Sequence, residues 1–170
     1  MFRTAILPAV LLTACATPQA GAQSPAATVP AYRAIGFEIE TWGRPLGSWE
    51  VQADGTVRHT KIDGSPFGKH QVEQRTFTVD ATAYAALAAI AAELPQPRLA
   101  RADCQELATD LPYGTVRLAN GKGTEEVRFD NGCRDAPYRA FIAQLQAMDA
   151  LVGGWAGQHA PTSVEEVGDD

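Results

Sequence analysis

The spacing of apolar residues predicts a group of β-strands in the first half of the chain. Ile35, Phe37 and Ile39 alternate with polar or small residues between Ala34 and Glu40, the two-residue period of a half-buried strand. We expect three more strands before the first helix: one from Ser48, one after the Asp54-Gly55 turn with Val57 and Ile62 facing inward, and one over 71–79 with a less regular alternation.

A helical period follows these strands and returns near the end of the chain. Asp80 is a suitable N-cap for the first helix, and Pro95 forbids its continuation. The second helix begins around Asp135 and Pro137, and Gly153-Gly154 is expected to end it. The apolar positions at helical spacing are Tyr84, Leu87, Ala91 and Leu94 in the first helix, and Tyr138, Phe141, Leu145, Met148 and Val152 in the second.

A hairpin is predicted between the two helices. Gly114 to Ala119 alternates as a strand, Asn120-Gly121 is a strong turn signal, and the returning strand presents Val127 and Phe129. The order of strands, helix, hairpin and helix predicts an α+β fold: an antiparallel sheet of about five to six strands with two helices packed on one face.

The N-terminus has the charge and hydropathy pattern that predicts an export signal. A positive start, Met1-Phe2-Arg3, precedes an apolar run over 5–12 that is too short to span a bilayer. The run ends in Leu12-Thr13-Ala14-Cys15, which resembles the lipobox of bacterial lipoproteins. The resemblance implies that the Cys15 thiol is lipidated, that the peptide is cut before it, and that the new amine is acylated. In Gram-negative lipoproteins an Asp after the lipidated cysteine commonly retains the protein at the inner membrane, so the resemblance implies that Ala16 directs sorting to the outer membrane, with the domain facing the periplasm.

The composition divides the chain into four parts. Residues 1–14 are the predicted signal peptide. Residues 15–31, rich in Ala, Pro, Thr and Gln, form a lipid-anchored flexible tether. Residues 32–154 form one globular domain, long enough to bury its own core. Residues 155–170 are expected to be an acidic, disordered tail.

Charge and cysteine usage agree with an exported protein. The formal net charge of -6 argues against a nucleic-acid partner, which needs a dense basic patch. If Cys15 is acylated, Cys104 and Cys133 remain as an even pair flanking the predicted hairpin, and we expect a disulfide between them. Two separate buried thiols are the alternative, and a zinc site is disfavoured because no CxxC or paired His accompanies them.

No group of residues carries a catalytic signature. The acidic neighbours of Cys104 would not activate a thiolate, and Ser48 lacks the spacing of a nucleophile elbow. The histidines are scattered, with His59 expected on a strand surface and His159 in the tail; the three are His59, His70 and His159. The sequence therefore predicts a non-enzymatic protein without a metal or cofactor. A hydrolase assembled from distant residues is the alternative.

The candidate for recognition is the segment Trp42-Gly43-Arg44-Pro45-Leu46-Gly47, interpreted as a Gly-rich loop between two strands. Trp and Arg are enriched at interface hot spots, and a proline stiffens the backbone. Trp42, Arg44 and Leu46 are therefore the predicted binding residues. Trp49 is expected in the core.

The Glu40–Gly47 loop, the strands around Trp49 to Val57 and the Ala/Leu helix after Asp80 follow one another in order along the chain. The order and spacing of these elements resemble those of small bacterial envelope or secreted domains such as emfourin, a metalloprotease inhibitor. Two binding hypotheses follow: an envelope lipoprotein that binds another envelope component, or an emfourin-like inhibitor that presents the Trp42 loop to a protease.

Overall fold

The computed structural model describes residues 31–168 except 97 and 100. The predicted signal peptide, the lipobox with Cys15 and all but the last residue of the predicted tether lie outside these residues. Within the described part of the chain, no helix is long and apolar enough to cross a membrane.

The described chain folds into one antiparallel sheet and two α-helices, as the sequence predicts at this level. The sheet has seven strands in the spatial order β6-β5-β1-β2-β3-β4-β7, so the predicted count of five to six is too low. The elements in chain order are β1 (Ala34–Thr41), β2 (Arg44–Gln52), β3 (Thr56–Gly64), β4 (His70–Thr78), α1 (Ala81–Ala92), a 3-10 turn (Arg101–Asp103), β5 (Tyr113–Asn120), β6 (Gly123–Asp130), α2 (Ala136–Ala156) and β7 (Ser163–Val167).

The hydrophobic core lies between one face of the sheet and the two helices. Alternate residues of the inner strands point into it, and the apolar stripes predicted for both helices are buried in the same cluster. Asp80 caps α1, with its carboxylate accepting from the Ala83 amide at 2.8 Å. The largest fully buried side chains are Phe141, Ile35, Leu87, Leu94, Leu118, Leu145, Met148, Val51, Val57, Val116, Val127 and Val152.

The opposite face of the sheet carries charged side chains. Arg117 on β5 bridges Glu38 on β1 and Glu126 on β6, and Arg58 on β3 pairs with Glu50 on β2. We call this surface the open face. Ile62, expected to face inward, has the opposite parity to the buried Val57, and that prediction is wrong.

The predicted acidic tail is ordered over its described residues. Helix α2 continues through Gly153 and Gly154 because Val152 and Ala156 on either side are buried, and packing outweighs a glycine cost of about 1 kcal/mol per residue. The chain then returns along β4, where the Thr162 amide donates to the Gln74 carbonyl at 2.7 Å. The predictions of a disordered tail from residue 155 and of a domain that ends at residue 154 are therefore wrong for residues 155–168.

The predicted disulfide is confirmed. Cys104 and Cys133 are bonded, with their Cα atoms 5.8 Å apart. The bridge joins the segment that leads into β5 to the turn that follows β6, so it closes the base of the predicted hairpin. Cys133 is buried against the core, and Cys104 packs at its edge.

Candidate binding surface

Trp42 lies at the tip of the β1–β2 hairpin. Thr41 pairs with Arg44, so only two residues form the turn, Trp42 with φ 51° and Gly43 with φ 71°. Positive φ at both central positions is the signature of a type I′ turn, whose twist matches that of the flanking strands. The predicted loop over 42–47 is therefore wrong, because β2 already begins at Arg44.

The turn holds Trp42 in a costly position. Asn and Gly are the residues that type I′ turns favour, and a bulky side chain at positive φ costs on the order of 1–3 kcal/mol. The Gly43 amide donates to the Tyr113 hydroxyl at 3.0 Å and fixes the turn against β5. The Trp42 side chain is 67% exposed, so burial within the described fold does not repay the strain.

A cleft of about 280 Å³ separates Trp42 from the segment before β5. Trp42 and Tyr113 line one side, and Thr109, Asp110 and Leu111 line the other. Leu111 is 44% exposed, and Asp110 also has positive φ, at 71°. Two apolar side chains thus face solvent across one cleft, Trp42 at a strained backbone position and Leu111 next to a residue with positive φ. We call this site the Trp42 cleft.

The far wall of the Trp42 cleft is fixed to the turn after β6. The Ala108 amide donates to the Gly132 carbonyl at 2.8 Å, and the Arg134 amide donates to the Glu106 carbonyl at 2.8 Å. A Cβ on residue 132 would collide with the Ala108 carbonyl oxygen, so glycine permits this close approach. Together with the disulfide, these bonds make the wall a preformed surface.

The other predicted binding residues lie outside this cleft. Arg44 is exposed at the start of β2. Leu46 is half-buried at an irregularity in the ladder, where Gly47 pairs with Ile39 and Pro45 pairs with Glu40. Leu46 is thus the extra residue of a β-bulge. The fold instead brings Trp42, Tyr113 and Leu111 together around one cleft. Leu111 belongs to no strand or helix, so no periodic pattern in the sequence predicts its place there.

A second polar group surrounds His59 on the core side of the sheet. His59 pairs with Trp49 and with Arg75 across neighbouring strands, and it is half-buried, so the expected surface position is wrong. Burial is the main factor that lowers the pKa of the His59 imidazole, and the Arg75 guanidinium lowers it further. The His59 Nδ1 atom is buried and has no hydrogen-bond partner among the described residues. The fold therefore favours the neutral imidazole.

Two acidic groups stand near this histidine. Asp149 on α2 accepts from the buried Trp49 indole N–H at 2.9 Å, which confirms Trp49 as a core residue. Glu73 pairs with Arg75 at 2.8 Å. Both carboxylates are thus already engaged by donors, so neither is placed as a free base beside the ring.

Asp135 lies beside the two cysteines of the disulfide. The carboxylate of Asp135 lies close to the Cys104 and Cys133 sulfurs, but the two sulfurs are bonded to each other, and metal coordination requires thiolates. The Asp135 carboxylate accepts from the backbone amides of Gln105 and Glu106 at 2.8 and 3.2 Å. It fixes the turn after Cys104 rather than capping α2 with its side chain.

Comparison with known proteins does not extend this picture. A scan against models of protein families finds none that matches the chain, and a search of the curated proteins finds no match either.

Proposed function

We propose that the chain is a non-enzymatic, membrane-anchored envelope lipoprotein whose domain binds a protein partner at the Trp42 cleft. The observation that carries the proposal is an exposed Trp in a strained two-residue turn that faces an exposed Leu111 across a preformed cleft. Strain of this kind is concentrated at functional sites in proteins. Trp is also one of the residue types enriched at interface hot spots.

The energetics favour a rigid recognition site. An aromatic side chain of this size buries 150–250 Å² when it is covered, and burial contributes about 25 cal/mol per Å². Covering the exposed two-thirds of Trp42 is therefore worth about 2.5–4 kcal/mol. Because the turn and the opposite wall are already fixed by hydrogen bonds and the disulfide, little conformational entropy is lost on binding.

The anchor rests on the sequence alone. Cys15 in the lipobox-like Leu12-Thr13-Ala14-Cys15 would attach several acyl chains, and more than one chain is needed for stable anchoring. Cys15→Ser should leave a full-length, unacylated precursor. If the Cys15→Ser protein still fractionates with outer membranes at the size of the mature form, the lipoprotein proposal is wrong.

Partner binding is tested by crosslinking in intact cell envelopes. The full chain, carrying an affinity tag, is crosslinked and purified, and co-purified proteins are compared between the unmodified chain and Trp42→Ala. Phe67→Ala is the matched control, because Phe67 is an exposed aromatic residue (57%) in the β3–β4 loop, outside the cleft. We expect specific partners to be lost with Trp42→Ala and kept with Phe67→Ala. Equal recovery with both variants refutes the cleft as the binding site.

The rigid hairpin tip supports a second candidate, a protease inhibitor that inserts the Trp42 turn into a concave cleft. A turn held to β5 by the Gly43–Tyr113 bond presents a fixed convex shape, and fixed loops lose little entropy on binding. We expect the intact chain to slow an envelope metalloprotease, and Trp42→Ala to relieve the inhibition. Unchanged proteolysis across a panel of such proteases refutes this candidate.

A further inference from the structure

A larger groove lies on the open face of the sheet at its β6 edge, and it shares Tyr113 with the Trp42 cleft. It encloses about 830 Å³, within the range of small-ligand sites. Strands β1, β5 and β6 form its floor, and Arg98, Leu99 and Ala102 line it from the segment between α1 and β5. We call it the open-face groove.

Side chains already paired with one another hold the groove in shape. Arg98 binds both oxygens of the Glu125 carboxylate, at 2.8 and 3.1 Å, and donates to the Leu94 carbonyl. This pairing lowers the pKa of the Glu125 carboxyl. On the floor, Arg117 lies 2.9 Å from Glu38 and 3.1 Å from Glu126. These two guanidinium groups and three carboxylates are already engaged with one another.

Two opposite charges in the groove have no such partner. Glu40 and Arg128 both line it, and neither makes a side-chain hydrogen bond or ion pair with another described residue. Thr115 on β5 pairs with Glu38 on one side and with Arg128 on the other. Glu40 lies two residues beyond Glu38 along β1. Standard strand spacings therefore place the Cα atoms of Glu40 and Arg128 roughly 12 Å apart on the same face.

We infer that the open-face groove binds a short zwitterionic peptide, with its ammonium group at Glu40 and its carboxylate at Arg128. An extended tripeptide spans about 10 Å, close to the roughly 12 Å between the two Cα atoms. Thr115 on β5 lies on the floor beneath it and offers a hydroxyl group to the peptide bonds. This inference does not depend on the Trp42 proposal.

The balance of charges selects a zwitterion over a simple ion. Arg98 is paired with Glu125, and Arg117 is paired with Glu38 and Glu126. Of the charged side chains that line the groove, Glu40 and Arg128 are therefore the two without a pair among the described residues. An anion at Arg128 would leave Glu40 without a partner, and a cation at Glu40 would do the same to Arg128. A ligand that carries both charges satisfies both groups at once.

The test is a titration of the full chain in detergent micelles with trialanine that has free termini. N-acetyl-trialanine and trialanine amide each lack one charge. Because exposed ion pairs are worth up to about 1 kcal/mol, each blocked peptide should bind about fivefold more weakly. Glu40→Gln should abolish the preference for a free amine and leave the preference for a free carboxylate. Arg128→Gln should do the reverse.

The controls separate the groove from its surroundings. Arg58→Gln alters an exposed arginine of the same sheet face outside the groove and should leave trialanine binding unchanged. Thermal melting of each variant verifies that it folds. Failure of trialanine to bind saturably, equal binding of the blocked peptides, or equal effects of Glu40→Gln and Arg58→Gln would each overturn the inference. None of these outcomes bears on partner capture at Trp42.

Discussion

Removal of the Cys104–Cys133 bridge should lower the stability of the domain by a large, calculable amount. The two residues are 29 positions apart, so the bridge closes a loop of about 30 residues in the unfolded chain. The chain-entropy relation for such a loop gives a loss of about 12 cal/mol/K, or about 3.6 kcal/mol at 25 °C. At about 2.1 cal/mol/K of unfolding entropy per residue, a domain of roughly 135 residues should melt about 12 °C lower.

The assay is thermal unfolding of the full chain followed by circular dichroism, with Cys104→Ala and Cys133→Ala combined. The unmodified chain treated with a reducing agent is the control, since it loses the bridge while keeping both sulfur atoms in the core. Its melting temperature should fall by nearly as much, and the reducing agent should not affect the double variant. A decrease of less than about 3 °C in both samples would refute the loop-entropy reasoning.

Three further substitutions test packing, titration and helix continuity. Gly114→Ala should lower the free energy of unfolding, measured with urea, by about 1–3 kcal/mol. A Cβ at this position would meet the Glu38 carbonyl oxygen and lie 2.7 Å from the Phe129 ring. An unchanged urea midpoint would contradict this. Gly154→Ala should stabilise α2 by about 0.5–1 kcal/mol, because the position is exposed and a Cβ there meets nothing within 4 Å. A lower melting temperature would count against it. The pKa of His59 is lowered in the folded state. The neutral imidazole therefore stabilises the fold fully above the unfolded pKa of about 6.5. This stabilisation is lost as the pH falls from about 6.5 through the folded pKa. His59→Gln should therefore flatten the decrease in melting temperature between pH 7.5 and 5, and parallel curves would refute it.

Regular patterns made the core of this fold predictable. The alternation of Ile35 and Phe37 and the stripe from Tyr138 to Val152 report burial on one face, which is the property that a period measures. β7 could not be found in this way, because four of its five residues are exposed and its pairing depends on the free edge of β4. Gly153-Gly154 does not end α2, because burial of the residues on either side overrides the local preference of glycine.

The sites were less predictable than the fold, for related reasons. The exposed Trp42 was found from composition, but its two-residue turn contradicts local preference, since Trp rarely adopts positive φ. Its neighbour across the cleft, Leu111, comes from a segment 69 positions away whose course depends on the disulfide. Glu40 and Arg128 share one face of the sheet because of the register of β1, β5 and β6. That register depends on pairing between distant segments, so it cannot be predicted from any one segment of the sequence.

The course of β1 has a mechanical consequence. The strand starts at Ala34, just after the segment that would lead to an anchor at Cys15, and ends at Thr41, next to the Trp42 turn. A partner held at the turn and an anchor at the other end would pull on opposite ends of one strand that is already extended. Such tension would run along the covalent backbone of eight residues, flanked on both sides by β2 and β5. Because β1 is already extended, tension between its two ends would not lengthen it further. The other elements of the domain would not have to unfold.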